Sequence, residues 1–109
     1  MKLVIAYVRP ESLTAVKQAL YSKNIYSMSV TNILGAGRQK GFTEMYRGVQ
    51  IEVNLLKKVR LEMGLADDKV DAAIEAITAA ARTGKEGDGV IFVQDLGRAI
   101  RVRTGEEGL

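Results

Sequence analysis

The sequence contains neither cysteine nor histidine among its 109 residues. The absence of cysteine excludes disulfides and thiolate zinc sites. The absence of histidine removes the commonest general base and the commonest metal ligand of proteins. The remaining candidate bases are carboxylates such as Glu44 and Asp88, and the sequence shows no nucleophile–base pair. We therefore expect a protein that is not an enzyme.

Long apolar segments are also missing. No apolar run approaches the roughly 20 residues that a membrane-spanning helix requires. The first residues lack the long apolar core and the cleavage site of a signal peptide, so they are predicted to form a strand. Hydrophobic residues make up 47% of the chain and charged residues 27%, which indicates one globular domain over residues 1–109. The net charge of +3 favours anionic partners without requiring a nucleic acid.

The residue pattern predicts four main strands and two helices. Residues 2–8, 26–34 and 90–93 are predicted strands, and 55–65 contains another. A first helix begins at Glu11 or Ser12, and a second begins at Asp67 and Asp68, where acidic side chains favour a helix N-terminus. Residues 99–102 are predicted to form a short additional strand.

The two predicted helices carry matching apolar stripes. Leu13, Val16 and Leu20 correspond to Val70, Ala73 and Ile77 at a constant offset of 57 residues. Two strand–helix–strand units on one sheet give an α+β, ferredoxin-like split βαβ sandwich. Both helices then cover one face of a four-stranded sheet, and we expect copies of the same chain to bury the other face.

One connection between predicted strands is unusually long. The stretch GAGRQKGFTEMYRG, residues 35–48, has four glycines and a basic cluster at 37–41. Hairpin connections need only about two to five residues. The segment matches neither a plausible hairpin nor an obvious helix, and its basic cluster is either a ligand site or a solvated loop.

Three further features combine glycine or apolar residues with positive charge. The first is TGKEGDG, residues 83–89, whose glycines allow backbone N–H groups to turn towards an anion beside Lys85. The alternative is that Gly84 forms a helix C-cap and that Asp88 and Gly89 form a turn. Arg101 and Arg103 would point the same way in an extended chain and suit phosphate oxygens, or they belong to a solvated tail. The ammonium of Lys58 is either paired with an anion or extended into water. One phosphate-rich ligand explains these features better than separate coincidences.

The segments GRQKGFTEMYRG, ARTGKEGDGVIFV and IRVRTGEEG closely resemble the three signature loops of PII nitrogen-regulatory signal transduction proteins. The resemblance extends over nearly the whole chain and includes the spacing between the loops. It implies a compact homotrimer with ligand clefts between subunits. It also implies a long T-loop at about 37–55 that changes shape with the bound ligand and contacts target proteins. The nucleotide loop then spans about 82–90, and the C-terminal loop about 101–109.

The resemblance also implies the ligands and their residues. The ATP/ADP site would consist of Ser29, Gly37, Arg38, Gln39, Gly87, Asp88 and Gly89, with Arg101 and Arg103 from the neighbouring chain. The 2-oxoglutarate site would consist of Gln39, Lys40, Gly41 and Lys58. Gln39 would ligate Mg²⁺, a hard cation that prefers oxygen ligands.

The resemblance further implies regulation of target proteins such as an ammonium transporter or a nitrogen-metabolism enzyme. The T-loop residues implied in partner binding are Glu44, Tyr46 and Arg47, of which Arg47 matches the arginine that plugs the transporter's cytoplasmic exit. The expected location is cytoplasmic, with recruitment to the membrane only through a transporter partner.

Four positions depart from the family pattern. Ile51 replaces the tyrosine that many bacterial members uridylylate, and Val49 replaces a serine that other members phosphorylate, so covalent switching at these positions is not expected. Val90 replaces a lysine after GDG, which removes one phosphate-directed charge. Gly64 stands where a valine near the adenine is common, and it is expected to leave space.

A ferredoxin-like nucleic-acid-binding module is the alternative interpretation. Such sheets bind RNA through exposed aromatic residues at strand centres, and this chain has only two phenylalanines and four tyrosines. We therefore expect no nucleic-acid partner.

Overall fold

The computed structural model describes residues 1–36 and 55–109, together with the strand pairing of 42–46 and 49–53. A short 3-10 turn at Pro10–Ser12 precedes the first helix. In chain order, the strands and helices are β1 (Lys2–Val8), α1 (Leu13–Ser22), β2 (Ser29–Ala36), β3 (Phe42–Tyr46), β4 (Val49–Val53), β5 (Leu55–Leu65), α2 (Asp67–Ala81) and β6 (Gly89–Asp95).

Four of the strands form one antiparallel sheet. Their order is β2-β5-β1-β6, and every neighbouring pair runs antiparallel. Helix α1 connects β1 to β2, and α2 connects β5 to β6. This arrangement confirms the predicted α+β, ferredoxin-like split βαβ fold.

The core lies between the helices and one face of the sheet. Alternate residues of β1 and β5 are buried, as expected when successive side chains of a strand point to opposite faces. The two apolar helix stripes complete the core, and each fully buried aliphatic side chain stabilises the fold by about 1.5–3 kcal/mol. The largest fully buried side chains are those of Leu20, Leu61, Met63, Ile77, Val4, Val8, Val16 and Val59.

We call the opposite side of the sheet the open face. The strand register assigns the following residues to it: Leu3, Ile5, Tyr7, Ser29, Ile33, Lys58, Arg60, Glu62, Gly64, Val90 and Phe92. Val90 is 43% exposed and Phe92 49% exposed, so apolar surface on this face is in contact with water. The ring of Phe92 packs edge-on against Tyr7, with 5.7 Å between the ring centroids.

The long connection between β2 and β5 contains a strand pair. Strands β3 and β4 pair antiparallel, from Phe42 opposite Val53 to Tyr46 opposite Val49. The prediction that this segment is not a plausible hairpin was wrong. Its second half is rich in aromatic and β-branched residues, which favour strands, whereas the glycines and basic residues of its first half dominated the pattern.

Two predicted strands have different ends, and a third is absent. Strand β2 begins at Ser29 rather than at residue 26, and β6 continues to Asp95. Residues 99–102 do not form the predicted strand, because Ile100 makes only an isolated bridge to Glu107. A turn follows directly, in which the N–H of Gly105 donates to the carbonyl of Arg101 at 2.7 Å.

Helix α2 begins at Asp67, as the two acidic residues predicted, but it ends before the predicted C-cap. Arg82 caps the helix in an extended conformation and donates its N–H to the carbonyl of Thr78 at 3.0 Å. Gly84, with φ +86°, therefore belongs to the following loop. Within the part of the chain that the structure describes, neither helix is long and apolar enough to cross a membrane.

Candidate functional site

Residues 82–89, which we call the glycine loop, join α2 to β6 and are organised around one carboxylate. Asp88 accepts hydrogen bonds from the N–H groups of Thr83 at 2.7 Å and Gly84 at 2.8 Å, and from the Thr83 hydroxyl. The Thr83 hydroxyl, the two N–H groups and Arg9 lower the pKa of Asp88 to about 2. These two amides thus turn towards the protein's own anion, and phosphate binding by Gly87, Asp88 and Gly89 stays a prediction.

Arg9 holds the same loop from the end of β1. Its Nε lies 3.5 Å from Asp88 Oδ1, and its Nη2 donates to the carbonyl oxygen of Glu86 at 2.5 Å. The register explains this contact, because Val8 pairs with Gly89 and the next residues along each strand then meet. The sequence analysis missed Arg9. The sequence did contain a signal for it. Arg9 directly follows β1 and Asp88 directly precedes β6, and these two strands are antiparallel neighbours in the predicted fold, so the two charges are expected to meet.

Lys58 contacts the glycine loop from β5. Its side chain is half-buried, and its ammonium donates to the carbonyl oxygen of Gly87. Burial lowers the pKa of Lys58, and the nearby charge of Arg9 lowers it further. The structure thus gives this ammonium a backbone acceptor, and its pairing with an anion stays a prediction. The cation is sheltered in a position where an anionic ligand would stabilise its charge.

These contacts border one large cleft. Its volume is about 700 Å³, and it lies between the end of β2, the start of β5 and the glycine loop. Three predicted site residues, Lys58, Gly87 and Gly89, are together on its wall. The complete lining is Tyr7, Ile33, Leu34, Gly35, Ala36, Leu56, Lys58, Glu86, Gly87, Gly89 and Val90.

Gly89 allows β1 and β6 to approach each other at the base of this cleft. Its φ is +122°, a conformation that residues with a side chain rarely adopt. A Cβ at this position would lie 1.8 Å from the carbonyl oxygen of Tyr7. The positive φ and the close carbonyl of Tyr7 therefore require glycine at position 89, and this requirement does not depend on a ligand in the cleft.

The remaining described site residues lie outside this lining. Ser29 is exposed on the open face opposite Glu62, at the start of β2, four residues before Ile33, which pairs with Lys58. Arg101 and Arg103 border a separate cavity of about 330 Å³. Their predicted extended conformation was wrong, because residues 102–104 form a turn.

Several predicted residues lie outside the described part of the chain. These are Gly37, Arg38, Gln39, Lys40, Gly41 and Arg47. Glu44 and Tyr46 belong to β3, and Val49 and Ile51 to β4, where the structure describes strand pairing alone.

The space expected at Gly64 is occupied. The position where a Cβ would stand is 3.3 Å from Cδ1 of Leu109 and 3.7 Å from Cδ1 of Leu96. The prediction that glycine leaves a vacant space at this position was therefore wrong for the described chain.

Comparison with known proteins assigns the chain to one protein family. The family model described as "Nitrogen regulatory protein P-II" matches residues 1–106. The chain belongs to the P-II family. Family membership makes it a nitrogen regulatory signal protein and not an enzyme, as the sequence led us to expect.

Individual relatives in the P-II family match nearly their full length. The nitrogen regulatory protein P-II of Rhodobacter capsulatus is 54% identical over 108 residues, which cover 99% of this chain and 96% of the relative. The protein of the same name from Cereibacter sphaeroides is 51% identical over the same shares of both chains. Nitrogen regulatory protein GlnK of Escherichia coli K12 is 49% identical over 97% of this chain and 95% of its own length.

Proposed function

We propose that this P-II protein senses ATP or ADP together with 2-oxoglutarate and regulates nitrogen-metabolism targets through its T-loop, residues 37–55. The observation that carries the proposal is the cleft in which the Lys58 ammonium meets the backbone of Gly87 and Gly89. Ala36, immediately before the T-loop, lies on the wall of the same cleft. A ligand bound there would contact the residue from which the T-loop begins.

The charge distribution favours a small anionic ligand in this cleft. Lys58 is half-buried at the cleft wall, and the charge of Arg9 close to it disfavours its charged form, whereas Glu11 and Asp88 favour it. A carboxylate of 2-oxoglutarate would stabilise the charged form of Lys58 and compete with the Gly87 carbonyl for its ammonium. Ligand binding at Lys58 would thereby change a bond that holds the glycine loop.

The nucleotide phosphates would require cations from a second chain. Arg101 and Arg103 are exposed and border a different cavity from Lys58, which supports an arrangement in which they act on a neighbouring subunit's cleft. The exposed apolar side chains of Val90 and Phe92 offer surface that such a neighbour could cover. We therefore propose a homotrimer with shared clefts.

Mg²⁺ would enter with the nucleotide. In residues 1–36 and 55–109, no group of three or more acidic side chains is positioned to hold a metal ion. The carboxylate of Asp88 is already engaged by Thr83, Gly84 and Arg9. We propose that phosphate oxygens of the nucleotide and the amide oxygen of Gln39 would hold the cation. Its charge would offset the negative charges of ATP and 2-oxoglutarate.

The proposed output is a contact between the T-loop and a target, such as an ammonium transporter or an enzyme. Glu44, Tyr46 and Arg47 would make that contact, and the protein would act in the cytoplasm and reach the membrane only through a transporter. Because Ile51 and Val49 carry no hydroxyl, we propose that ligands, and not modification at these positions, control the loop. We propose no nucleic-acid-binding role, because the chain belongs to the P-II family of nitrogen regulatory proteins.

Calorimetric titration with ATP, ADP and 2-oxoglutarate, each with and without Mg²⁺, tests the proposal. 2-Oxoglutarate should bind appreciably only with Mg²⁺-ATP, and by linkage it should tighten ATP by the same factor. The Lys58→Met substitution should abolish 2-oxoglutarate binding and leave much of the ATP affinity. Lys57→Met is the matched control, since the neighbouring Lys57 is exposed and on the other side of β5. Equal ATP dissociation constants with and without saturating 2-oxoglutarate in the parent protein would contradict the sensing mechanism.

A further inference from the structure

The segment 99–109, which we call the arginine hairpin, is shaped by bonds among its own residues. The N–H of Gly108 donates to the carbonyl of Ala99 at 2.8 Å, and the N–H of Arg101 donates to the carbonyl of Glu106 at 2.9 Å. The tight turn between them is closed by the Gly105–Arg101 bond. These bonds determine the shape of the hairpin, but none of them joins it to the sheet.

An apolar contact at the end of the hairpin joins it to the sheet. Gly64 lies on the open face of β5, opposite Leu3. The methyl groups of Leu109 lie 3.3 and 3.7 Å from the position where a Cβ of residue 64 would stand. Leu96, which follows β6, borders the same position at 3.7 Å. Leu109 is 47% exposed, so about half of its surface is covered.

The contact depends on the absence of a side chain at position 64. A methyl group there would touch Leu109 closely, and a flexible leucine could move by a few tenths of an ångström to accept it. A β-branched side chain would occupy the volume that Leu109 now fills. The side chain of Leu109 therefore packs into the space that the absence of a side chain at Gly64 leaves on the sheet.

We infer that the contact between Leu109 and Gly64 docks the arginine hairpin on the sheet and so positions Arg101 and Arg103 for an anionic ligand. A turn segment this short, with a single bridge between Ile100 and Glu107, is marginally stable in water without packing against another element. If the docked form is the competent one, the apparent ligand affinity falls in proportion to its population. The docking stands on the contacts above, whereas the ligand, ATP, rests on the proposed function.

The docking is tested first without any ligand, by amide hydrogen exchange in the full-length protein. Leu109→Ala and Gly64→Val should each speed exchange at Arg101, Gly105 and Gly108 about fivefold, with core amides of β1 and β5 unchanged. The double variant should exchange no faster than either single one, because both substitutions remove the same contact. Val102→Ala is the matched control: its side chain is fully exposed, so exchange corrected for intrinsic rates should stay at the parent value.

The positioning role is tested by ATP titration of the Leu109 variants. Leu109→Ala should weaken ATP binding about threefold to tenfold by lowering the docked population, and Leu109→Met should restore most of the affinity. A role confined to folding would not produce this rescue with unchanged core exchange.

The outcomes distinguish the inference from the function on which it rests. Parent-like exchange at all three amides in both single variants would overturn the docking. Faster exchange with unchanged or tighter ATP binding would overturn the positioning role. Failure of the parent protein to bind ATP would overturn the proposed function and the positioning role, while the exchange data would still decide whether the hairpin docks.

Discussion

The glycine loop and the arginine hairpin are both short, glycine-containing and positively charged, yet the protein holds them differently. The glycine loop is held by side chains from other elements, since Arg9 reaches it from β1 and Lys58 from β5. The arginine hairpin is closed by its own backbone bonds and contacts the sheet through Leu109.

The difference is one of physical mechanism. The glycine loop is held by charged and polar groups, so its stability depends on pH and on any ligand that competes for Lys58. The hairpin contacts the sheet through apolar packing, and its ion pair between Glu107 and Arg98 is exposed to water. Arg101 and Arg103 are exposed for a ligand. An apolar contact can hold the hairpin without engaging Arg101 and Arg103, so both guanidinium groups stay available for an anionic ligand.

The largest expected effect on the free energy of unfolding comes from replacing a glycine of the glycine loop that has no room for a side chain. Gly89→Ala should lower the free energy of unfolding by about 3–5 kcal/mol, because its Cβ would overlap the Tyr7 carbonyl in a strained conformation. Gly84→Ala is the control: φ is +86° there, but no atom lies within 4 Å of the added Cβ. It should cost only about 1–2 kcal/mol, the strain of the left-handed conformation. Urea denaturation measures both, and equal losses would contradict the close approach of β1 and β6.

The second effect concerns the hairpin as a ligand-binding element. Arg103→Ala should weaken ATP binding by about 1.5–3 kcal/mol, the scale of a hydrogen bond to a charged group. Because Arg103 is exposed, the free energy of unfolding should stay unchanged. Calorimetry and urea denaturation measure the two quantities, and unchanged ATP affinity would remove the hairpin arginines from the proposed site.

The third effect compares two arginines that contact these regions from outside, Arg9 at the glycine loop and Arg98 at the hairpin. Arg9→Gln should lower the free energy of unfolding by about 1–2 kcal/mol, because it removes bonds to Asp88 and to the Glu86 carbonyl in a partly buried setting. Arg98→Gln breaks the ion pair with Glu107, whose side chains are 70% and 58% exposed, and should have almost no effect. A larger loss for Arg98→Gln in urea denaturation would reverse the comparison.

The smallest effect is the part of the acid dependence of stability that comes from Asp88 in the glycine loop. The pKa of Asp88 is about 2 in the folded protein against its ordinary value of 3.8, so the unfolded state binds more protons between these values. Its contribution to stability is complete above 3.8 and is lost as the pH falls through about 2. Asp88→Asn should remove this part of the decline in the free energy of unfolding. An Asp88 carboxyl that titrates near 3.8 by NMR would contradict the predicted slope.

Much of the fold could be predicted because its signals are local. The alternation of β1 and the matching stripes on α1 and α2 depend only on strand and helix periods, which neighbouring residues reveal. The hairpin of β3 and β4 was missed because glycines and basic residues beside it outweighed its strand-forming residues. Lys58, Gly87 and Gly89 could be named in advance because their segments resemble the P-II signature loops.

By itself, the sequence determined the order of the two helices and of the four strands of the main sheet, the core positions and the P-II family, since periodicity and motif spacing are properties of the chain. Only the tertiary structure decided that the amides of Thr83 and Gly84 face Asp88, that Arg9 reaches the same carboxylate and that Leu109 fills the space at Gly64. Each of these contacts joins groups that are brought together by strand register or by a turn. A shift of one residue in pairing would reverse every side chain of a strand, so these contacts depend on the register between β1, β5 and β6.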